Sequence, residues 1–171
     1  MKILNANLTQ NTSRLENEKD ILNAVKLNLT KEIVQLKKQI EPPCPANWTK
    51  FGKSCYYLLF TLEKNWMESE TICQTSVTGA HLVIISSIEE QMFASRLKGP
   101  FWIGLTDQEK EGEWKWVNGQ NVTTTYWRNT QPDNWPPGED CAELSITGEP
   151  NSNWNDLPCN LQRNFICEIE N

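Results

Sequence analysis

Residues 1–43 of the 171-residue chain contain no glycine, no cysteine and no aromatic residue. All eight glycines, six cysteines and eight tryptophans lie after residue 43. The charge changes at the same place, because residues 1–43 carry a net charge of +2 and residues 44–171 a net charge of −8. This change in composition predicts two parts of different structure that meet near residue 43.

Other residue types and patterns are scarce along the whole chain. A single histidine, His81, excludes most histidine-based catalytic triads and multi-histidine zinc sites. The longest aliphatic run, residues 82–85, is far shorter than the roughly 20 residues that span a bilayer, and the first residues show no signal-peptide pattern. A net charge of −8 after residue 43 would repel phosphate backbones, so nucleic acid is not an expected partner.

The cysteines and the glycosylation motifs both indicate an oxidising, extracellular environment. Six cysteines without a CxxC pair favour disulfides over a zinc ribbon, although spacing alone leaves 15 possible pairings. Five Asn-x-Ser/Thr motifs support the same compartment; their asparagines are Asn7, Asn11, Asn28, Asn47 and Asn121. We therefore expect an extracellular chain that forms the outer portion of a longer, type II membrane protein, with a secreted protein as the alternative.

Leucines recur every seven residues in the first segment, at Leu8, Leu15, Leu22, Leu29 and Leu36. With these at heptad position d, position a is taken by Asn5, Thr12, Lys19, Lys26, Ile33 and Ile40. The pattern predicts a coiled-coil neck over residues 1–43, ended by the prolines at 42 and 43. The polar a positions leave dimer, trimer and tetramer open, and a single amphipathic helix that packs on the domain is the alternative.

From residue 44 onward, the pattern predicts an α+β domain. A helix is expected over residues 65–75, and a capping-box sequence at residues 87–90 predicts a second helix towards Leu97. Shorter periodicity then predicts strands at 101–105, 113–117, 141–145 and 164–169. The polar stretches 128–140 and 147–158 are expected to be loops.

The predicted loops concentrate side chains that carry oxygen: Asp107, Glu111, Gln131, Asp133, Asn134, Glu139, Asp140, Asn155 and Asp156. Carboxylates and amides without nearby imidazole or thiolate groups are the ligands that calcium prefers. By themselves they also fit a solvated acidic loop, which is common in an acidic chain.

Three motifs make the domain resemble a C-type lectin domain: Trp102-Ile103-Gly104-Leu105, Gln131-Pro132-Asp133 and Trp154-Asn155-Asp156. The likeness covers residues 44–171 and implies two helices, antiparallel strands and long calcium-binding loops. It also implies three disulfides, namely Cys44–Cys55, Cys73–Cys167 and Cys141–Cys159. The preceding coil resembles the neck of type II membrane lectins.

The resemblance further implies two calcium sites. The primary site would use Gln131, Asp133, Glu139, Asn155 and Asp156, with a cis bond before Pro132. The auxiliary site would use Asp107, Glu111, Asn134, Glu139 and Asp140. The residues Trp102, Gly104, Trp114 and Trp116 are expected in the core.

The segment Gln131-Pro132-Asp133-Asn134-Trp135 resembles the galactose-type members of this family, the group of the asialoglycoprotein receptors and macrophage galactose lectins. The resemblance implies that the primary-site residues and Trp135 bind terminal galactose or N-acetylgalactosamine. Only residues 136–138 separate Trp135 from Glu139, whereas strongly galactose-selective members carry a longer glycine-rich segment. A calcium-dependent lectin with mannose, fucose or mixed specificity, and a protein-binding receptor of the same fold, therefore remain alternatives. An enzyme is not expected, because the carboxylates that a glycosidase would need are assigned to the cation.

Overall fold

The computed structural model describes residues 2–40, 42–97 and 99–170, without the side chains of residues 2–9, 38–40 and 59. The predictions on the side chains of Asn5, Asn7, Leu8 and Ile40 therefore lie outside the described part. Contacts along the chain group into two units, residues 1–43 and residues 44–171.

The first unit is a single long helix, α1, over Lys2–Ile40. Since glycine and proline are absent from its 39 residues, nothing interrupts the backbone hydrogen bonds over about 58 Å. The heptad leucines Leu15, Leu22, Leu29 and Leu36 are each more than half exposed within the chain. The predicted helix is thus present, and it displays an apolar stripe along one face.

Two shorter helices begin at the caps that the sequence predicts. Helix α2 spans Trp66–Ser76, and Asn65 caps it by accepting the backbone N–H of Glu68 at 2.8 Å. Helix α3 spans Ile88–Ser95, and Ser87 accepts the backbone N–H of Glu90 at 3.2 Å. In each helix the glutamate reaches back to the N–H of its capping residue, which completes a capping box.

The strands of the second unit form one eight-stranded sheet. In chain order they are β1 (Thr49–Phe51), β2 (Ser54–Lys64), β3 (His81–Leu82), β4 (Phe101–Thr106), β5 (Lys115–Trp116), β6 (Cys141–Glu149), β7 (Ser152–Leu157) and β8 (Arg163–Glu170). The path through the sheet is β1-β2-β8-β4-β6-β7, with β3 against β8 and β5 against β4. All these pairs are antiparallel except β4 with β8. The predicted α+β class is confirmed.

Two parts of the strand prediction were wrong. Strand β2 precedes both short helices, whereas the sequence suggested that helices come first. Most of its pairing is with β8, between 99 and 116 residues further along the chain. Residues 147–158 are not one loop, because they hold the end of β6 and all of β7. The polar residues of β7 are buried, so its composition looked like that of a loop.

The core confirms the expected positions of the tryptophans. Trp102 is fully buried, and Trp114 and Trp116 are at most 9% exposed. A Cβ atom on Gly104 would lie 2.7 Å from the carbonyl oxygen of Leu82, so only glycine allows β3 and β4 to approach this closely.

The three disulfides that the resemblance implied are formed, as Cys44–Cys55, Cys73–Cys167 and Cys141–Cys159. The first closes the start of the domain, and the second ties α2 to β8. The third joins the start of β6 to the residues after β7. Strands β6 and β7 therefore form a covalently closed hairpin beside the loop of residues 131–139.

Candidate metal centre

Three carboxylates from two parts of the chain meet at one end of β7. Asp133 and Glu139 belong to the segment before β6, and Asp156 belongs to β7. One ligand oxygen from each lies within 4.8 Å of the other two. Among the described side chains, no other group of three acidic, cysteine or histidine residues comes together in this way. We call Asp133, Glu139 and Asp156 the carboxylate cluster.

Backbone N–H groups of the loop fold it around the carboxylate cluster. Asp156 is fully buried, and its two carboxylate oxygens accept the N–H groups of Asp133 at 3.2 Å and of Asn134 at 2.8 Å. The N–H of Trp135 donates to Glu139 at 3.1 Å, and the side chain of Asn134 accepts the N–H of Glu139 at 2.8 Å. The Gln131–Pro132 bond is cis, as expected, and so is the Pro136–Pro137 bond. The hydrogen bonds from Asp133 and Asn134 to Asp156 hold the loop against β7.

The electrostatics of the carboxylate cluster favour a bound cation. Burial raises the pKa of Glu139, and the nearby charges of Asp156 and Asp133 raise it further, although the N–H of Trp135 acts in the opposite direction. Carboxylates at this separation repel one another, and a divalent cation between them would remove the repulsion. The donor set contains only oxygen, which suits a hard cation such as calcium.

Gln131 adds an amide oxygen to the same end of the loop. Its Oε1 atom is buried and has no hydrogen-bond partner among the described residues. A buried oxygen without a partner costs about 1–3 kcal/mol, which a metal ligand bond would offset. The residues present therefore fit a calcium ion, and Gln131, two residues before Asp133, has a buried amide oxygen without a described partner.

Asn155 lies next to the carboxylate cluster, but its amide oxygen already has a partner. Its Oδ1 atom accepts a hydrogen bond from Nη2 of Arg128 at 2.7 Å, and its Nδ2 atom donates to the carbonyl oxygen of Asp156 at 2.9 Å. Arg128 was not predicted to take part in the site. The available signal was a basic residue three positions before Gln131, in a domain with few cations.

The residues of the auxiliary site are neighbours, yet they form a looser group. Asp107 is 2% exposed, its Oδ2 atom accepts the N–H of Gly112 at 2.8 Å, and its Oδ1 atom has no described partner. Burial raises the pKa of Asp107, and the charges of Glu111 and Asp140 add to the effect. The backbone N–H of Asp107 donates to the carbonyl oxygen of Asp140 at 3.1 Å. Asp107, Glu111 and Asp140 nevertheless do not bring three ligand oxygens within 4.8 Å.

The remaining predicted residues lie at the surface. Trp135 is 70% exposed and projects from the loop rather than packing in the core. The glycosylation-motif residues Asn11, Asn28, Asn47 and Asn121 are all exposed. Their exposure leaves each of these side chains accessible for glycosylation.

Comparison of the sequence with known proteins identifies one family model and several relatives of the same kind. The family model described as "Lectin C-type domain" matches residues 62–169. Asialoglycoprotein receptor 1 of Rattus norvegicus is 41% identical over 136 residues, which is 74% of this chain and 45% of that protein. CD209 antigen-like protein D of Mus musculus is 39% identical over 154 residues, which is 84% of this chain and 61% of that protein. The chain thus spans less than two thirds of the length of these relatives.

Solved structures show the same relationship. The carbohydrate-recognition domain of the mouse scavenger receptor C-type lectin has a TM-score of 0.68 and 39% identity, over 75% of this chain and 98% of that one. The trimeric structure of the Kupffer cell C-type lectin receptor Clec4f has a TM-score of 0.63 and 32% identity, over 87% of this chain and 95% of that one. Within the described residues, no helix is both long and apolar enough to cross a membrane. The matches confirm a binding domain rather than an enzyme, and they show that the chain belongs to the C-type lectin domain family.

Proposed function

We propose that the chain binds terminal galactose or N-acetylgalactosamine on glycans through a calcium ion. The observation that carries the proposal is the carboxylate cluster. The buried amide oxygen of Gln131, two residues before Asp133, adds support because it has no hydrogen-bond partner among the described residues. The proposed primary ligands are Gln131, Asp133, Glu139, Asn155 and Asp156. The auxiliary ligands, Asp107, Glu111, Asn134, Glu139 and Asp140, would support the loop from its other side.

The alternation of amides and carboxylates suits the hydroxyl groups of a sugar. A hydroxyl has one proton to donate and two lone pairs that accept. When bound, calcium would take one lone pair. The amide N–H₂ groups of Gln131 and Asn155 can donate to the other, and the carboxylates of Asp133 and Glu139 can accept the proton. Two neighbouring hydroxyls would therefore find complementary partners.

Trp135 supports galactose within this scheme. Galactose presents a patch of C–H groups on one face, and an exposed indole ring can cover such a patch for about 1 kcal/mol. The 70% exposure of Trp135 leaves its ring available for this contact. The short segment 136–138 favours mannose or mixed specificity instead, because it can direct the ring away from the sugar.

Glycan binding in calcium and in excess chelator tests this proposal. We expect galactose-terminated glycans to bind in calcium only, and a chelator titrated with calcium serves as the control. Galactose binding that persists in chelator would exclude the calcium mechanism, and binding of proteins without glycans in either condition would favour a protein-binding receptor.

The double variant Gln131→Glu with Asp133→Asn tests the specificity. It exchanges the donor and the acceptor on one side of the site, so mannose should compete better than galactose. If galactose still competes better, the hydrogen-bond scheme is wrong or the contact with Trp135 dominates. Adding Trp135→Ala to the double variant separates these two explanations.

We also propose that α1 forms a coiled-coil neck and that the chain is the extracellular part of a membrane-anchored receptor. The stripe of exposed heptad leucines supports association with further copies of the chain, and Clec4f, a relative of known structure, is described as trimeric.

A neck of this kind would increase the strength of glycan binding. A single sugar is typically held at about millimolar strength, and parallel domains can raise avidity about 100-fold. Removal of residues 1–43 should give a monomer with unchanged monosaccharide affinity and weak binding to multivalent glycans, which sedimentation and surface binding would measure. A full chain that sediments as a monomer would contradict the neck.

A further inference from the structure

Arg128 connects the two parts of the chain that form the candidate site. Its backbone N–H donates to the carbonyl oxygen of Trp154 at 2.8 Å, and its carbonyl oxygen accepts the N–H of Gln131 at 2.9 Å. Its guanidinium donates from Nη2 to Oδ1 of Asn155 at 2.7 Å and from Nη1 to Oγ1 of Thr147 at 2.6 Å. The backbone of Arg128 is thus fixed, while its guanidinium is bonded to the side chain of Asn155, the residue that precedes Asp156 in β7.

A buried carboxylate on the neighbouring strand β6 attracts the guanidinium. Glu143 lies directly opposite Asn155 in the register of β6 and β7, and it is only 5% exposed. Burial raises the pKa of Glu143, whereas a 2.6 Å bond from Arg163 and the nearby charge of Arg128 lower it. Since a buried negative charge attracts both arginines, Arg128 has an electrostatic reason to remain next to Asn155.

We infer that Arg128 competes with calcium for the amide oxygen of Asn155 and thereby lowers the calcium affinity of the site. The inference rests on the proposed function, in which Asn155 is a calcium ligand. The guanidinium takes one of the two lone pairs of the oxygen that the ion needs, and its positive charge opposes a second cation nearby. When calcium leaves, Arg128 offers Asn155 a replacement partner, so the amide is not left without a hydrogen bond.

The competing explanation is that Arg128 only positions Asn155. The two explanations predict opposite changes in calcium affinity. A positioning residue helps the ion to bind, so its removal weakens binding. A competitor hinders the ion, so its removal strengthens binding.

Calorimetric titration of the full chain with calcium chloride distinguishes them. Arg128→Met keeps the aliphatic stem but removes the donors and the charge, and we expect calcium to bind about five-fold more tightly. Arg128→Lys keeps the charge without the planar pair of donors and should give a smaller gain. Lys53→Met, in the turn between β1 and β2, removes one exposed positive charge elsewhere and serves as the control.

A second readout is the thermal stability in chelator, where Arg128→Met should unfold at a lower temperature because Asn155 loses its partner. Unchanged or weaker calcium binding in Arg128→Met would overturn the inference and leave the proposed function intact. If neither the original chain nor the variant binds calcium, both proposals fail.

Nuclear magnetic resonance of the unaltered chain keeps the inference testable even if Arg128→Met does not fold. The guanidinium signals of Arg128 and the side-chain amide signals of Asn155 should shift together as calcium is added. If calcium saturates the site and the Arg128 signals do not move, Arg128 does not compete with the ion.

Discussion

The two groups of acidic residues in this domain differ in how the chain brings them together. The carboxylate cluster brings Asp156 of β7 within 4.8 Å of Asp133 and Glu139, which lie 23 and 17 positions before it in a loop. In the auxiliary group, the charges of Glu111 and Asp140 raise the pKa of Asp107. The oxygens of these three residues nevertheless do not all lie within 4.8 Å of one another. Similar composition therefore gives different geometry. Asp107 and Asp156 are both buried, but Asp156 accepts two N–H groups from the opposing loop, whereas Asp107 accepts the N–H of Gly112 in its own segment.

The largest effect is expected for Asp156→Asn. The asparagine side chain loses the negative charge and replaces one acceptor with an N–H₂ group, so calcium affinity should fall at least about 100-fold. Calorimetry measures the change, and circular dichroism checks that the domain remains folded. Asp140→Asn makes the same chemical change in the auxiliary group and should affect the high-affinity calcium site far less. Equal losses in both variants would mean that the two groups form one site.

Calcium binding should weaken at a higher pH than it would if all the carboxylates had ordinary pKa values. Because the pKa of Glu139 is raised, its carboxylate takes up a proton at a higher pH than the usual value of about 4.3. The protonated form cannot hold the ion, so affinity falls as the pH falls through the raised pKa. We expect the affinity to fall as the pH is lowered from neutral towards the raised pKa, as calcium titrations at several pH values would measure. In Glu139→Gln the binding should be weaker but should depend less on pH.

The variant Trp135→Ala should change the affinity for galactose without changing the affinity for calcium. The ring is exposed, and only the backbone of Trp135 contacts the carboxylate cluster. Galactose affinity should therefore fall about five-fold, which corresponds to about 1 kcal/mol, while calcium affinity stays the same. Calorimetry with each ligand in turn provides the measurement. Unchanged galactose affinity would show that the ring points away from the sugar.

The smallest effect on sugar binding is expected for Asp107→Asn. This variant removes a buried charge from the auxiliary group and leaves the carboxylate cluster intact, so galactose affinity should change less than about two-fold. The number of calcium ions bound per chain should fall by one, as a calcium titration would show. A large loss of galactose affinity would indicate that the auxiliary ion shapes the loop of residues 131–139.

Local signals in the sequence predicted the parts of the fold that depend on neighbouring residues. The pairs Asn65 with Glu68 and Ser87 with Glu90 are three residues apart, so both helix starts could be recognised. Strand β2 was not recognised. Only its first residues pair with the adjacent β1, and the rest of its pairing is with β8, which is distant in sequence.

The candidate site likewise contains residues that the sequence identifies and contacts that only the fold creates. The acidic and amide residues were recognisable by type, and the family motifs grouped them. The bond between Arg128 and Asn155 joins residues 27 positions apart, and no local pattern predicts it. Glu143 is likewise an ordinary residue in the sequence, and its role depends on burial and on the register of β6 with β7.

The disulfide between Cys141 and Cys159 closes a ring that contains Asn155 and Asp156 but neither Gln131 nor Asp133. One side of the candidate site is therefore tethered covalently, and the other is attached by hydrogen bonds from the loop. Local unfolding should begin on the hydrogen-bonded side, with residues 131–139 opening while the strands within the ring stay paired. In kinetic terms, the dissociation rate of calcium would be set by the lifetime of the loop's contacts with β7, and a glycan seated on the ion would leave with it.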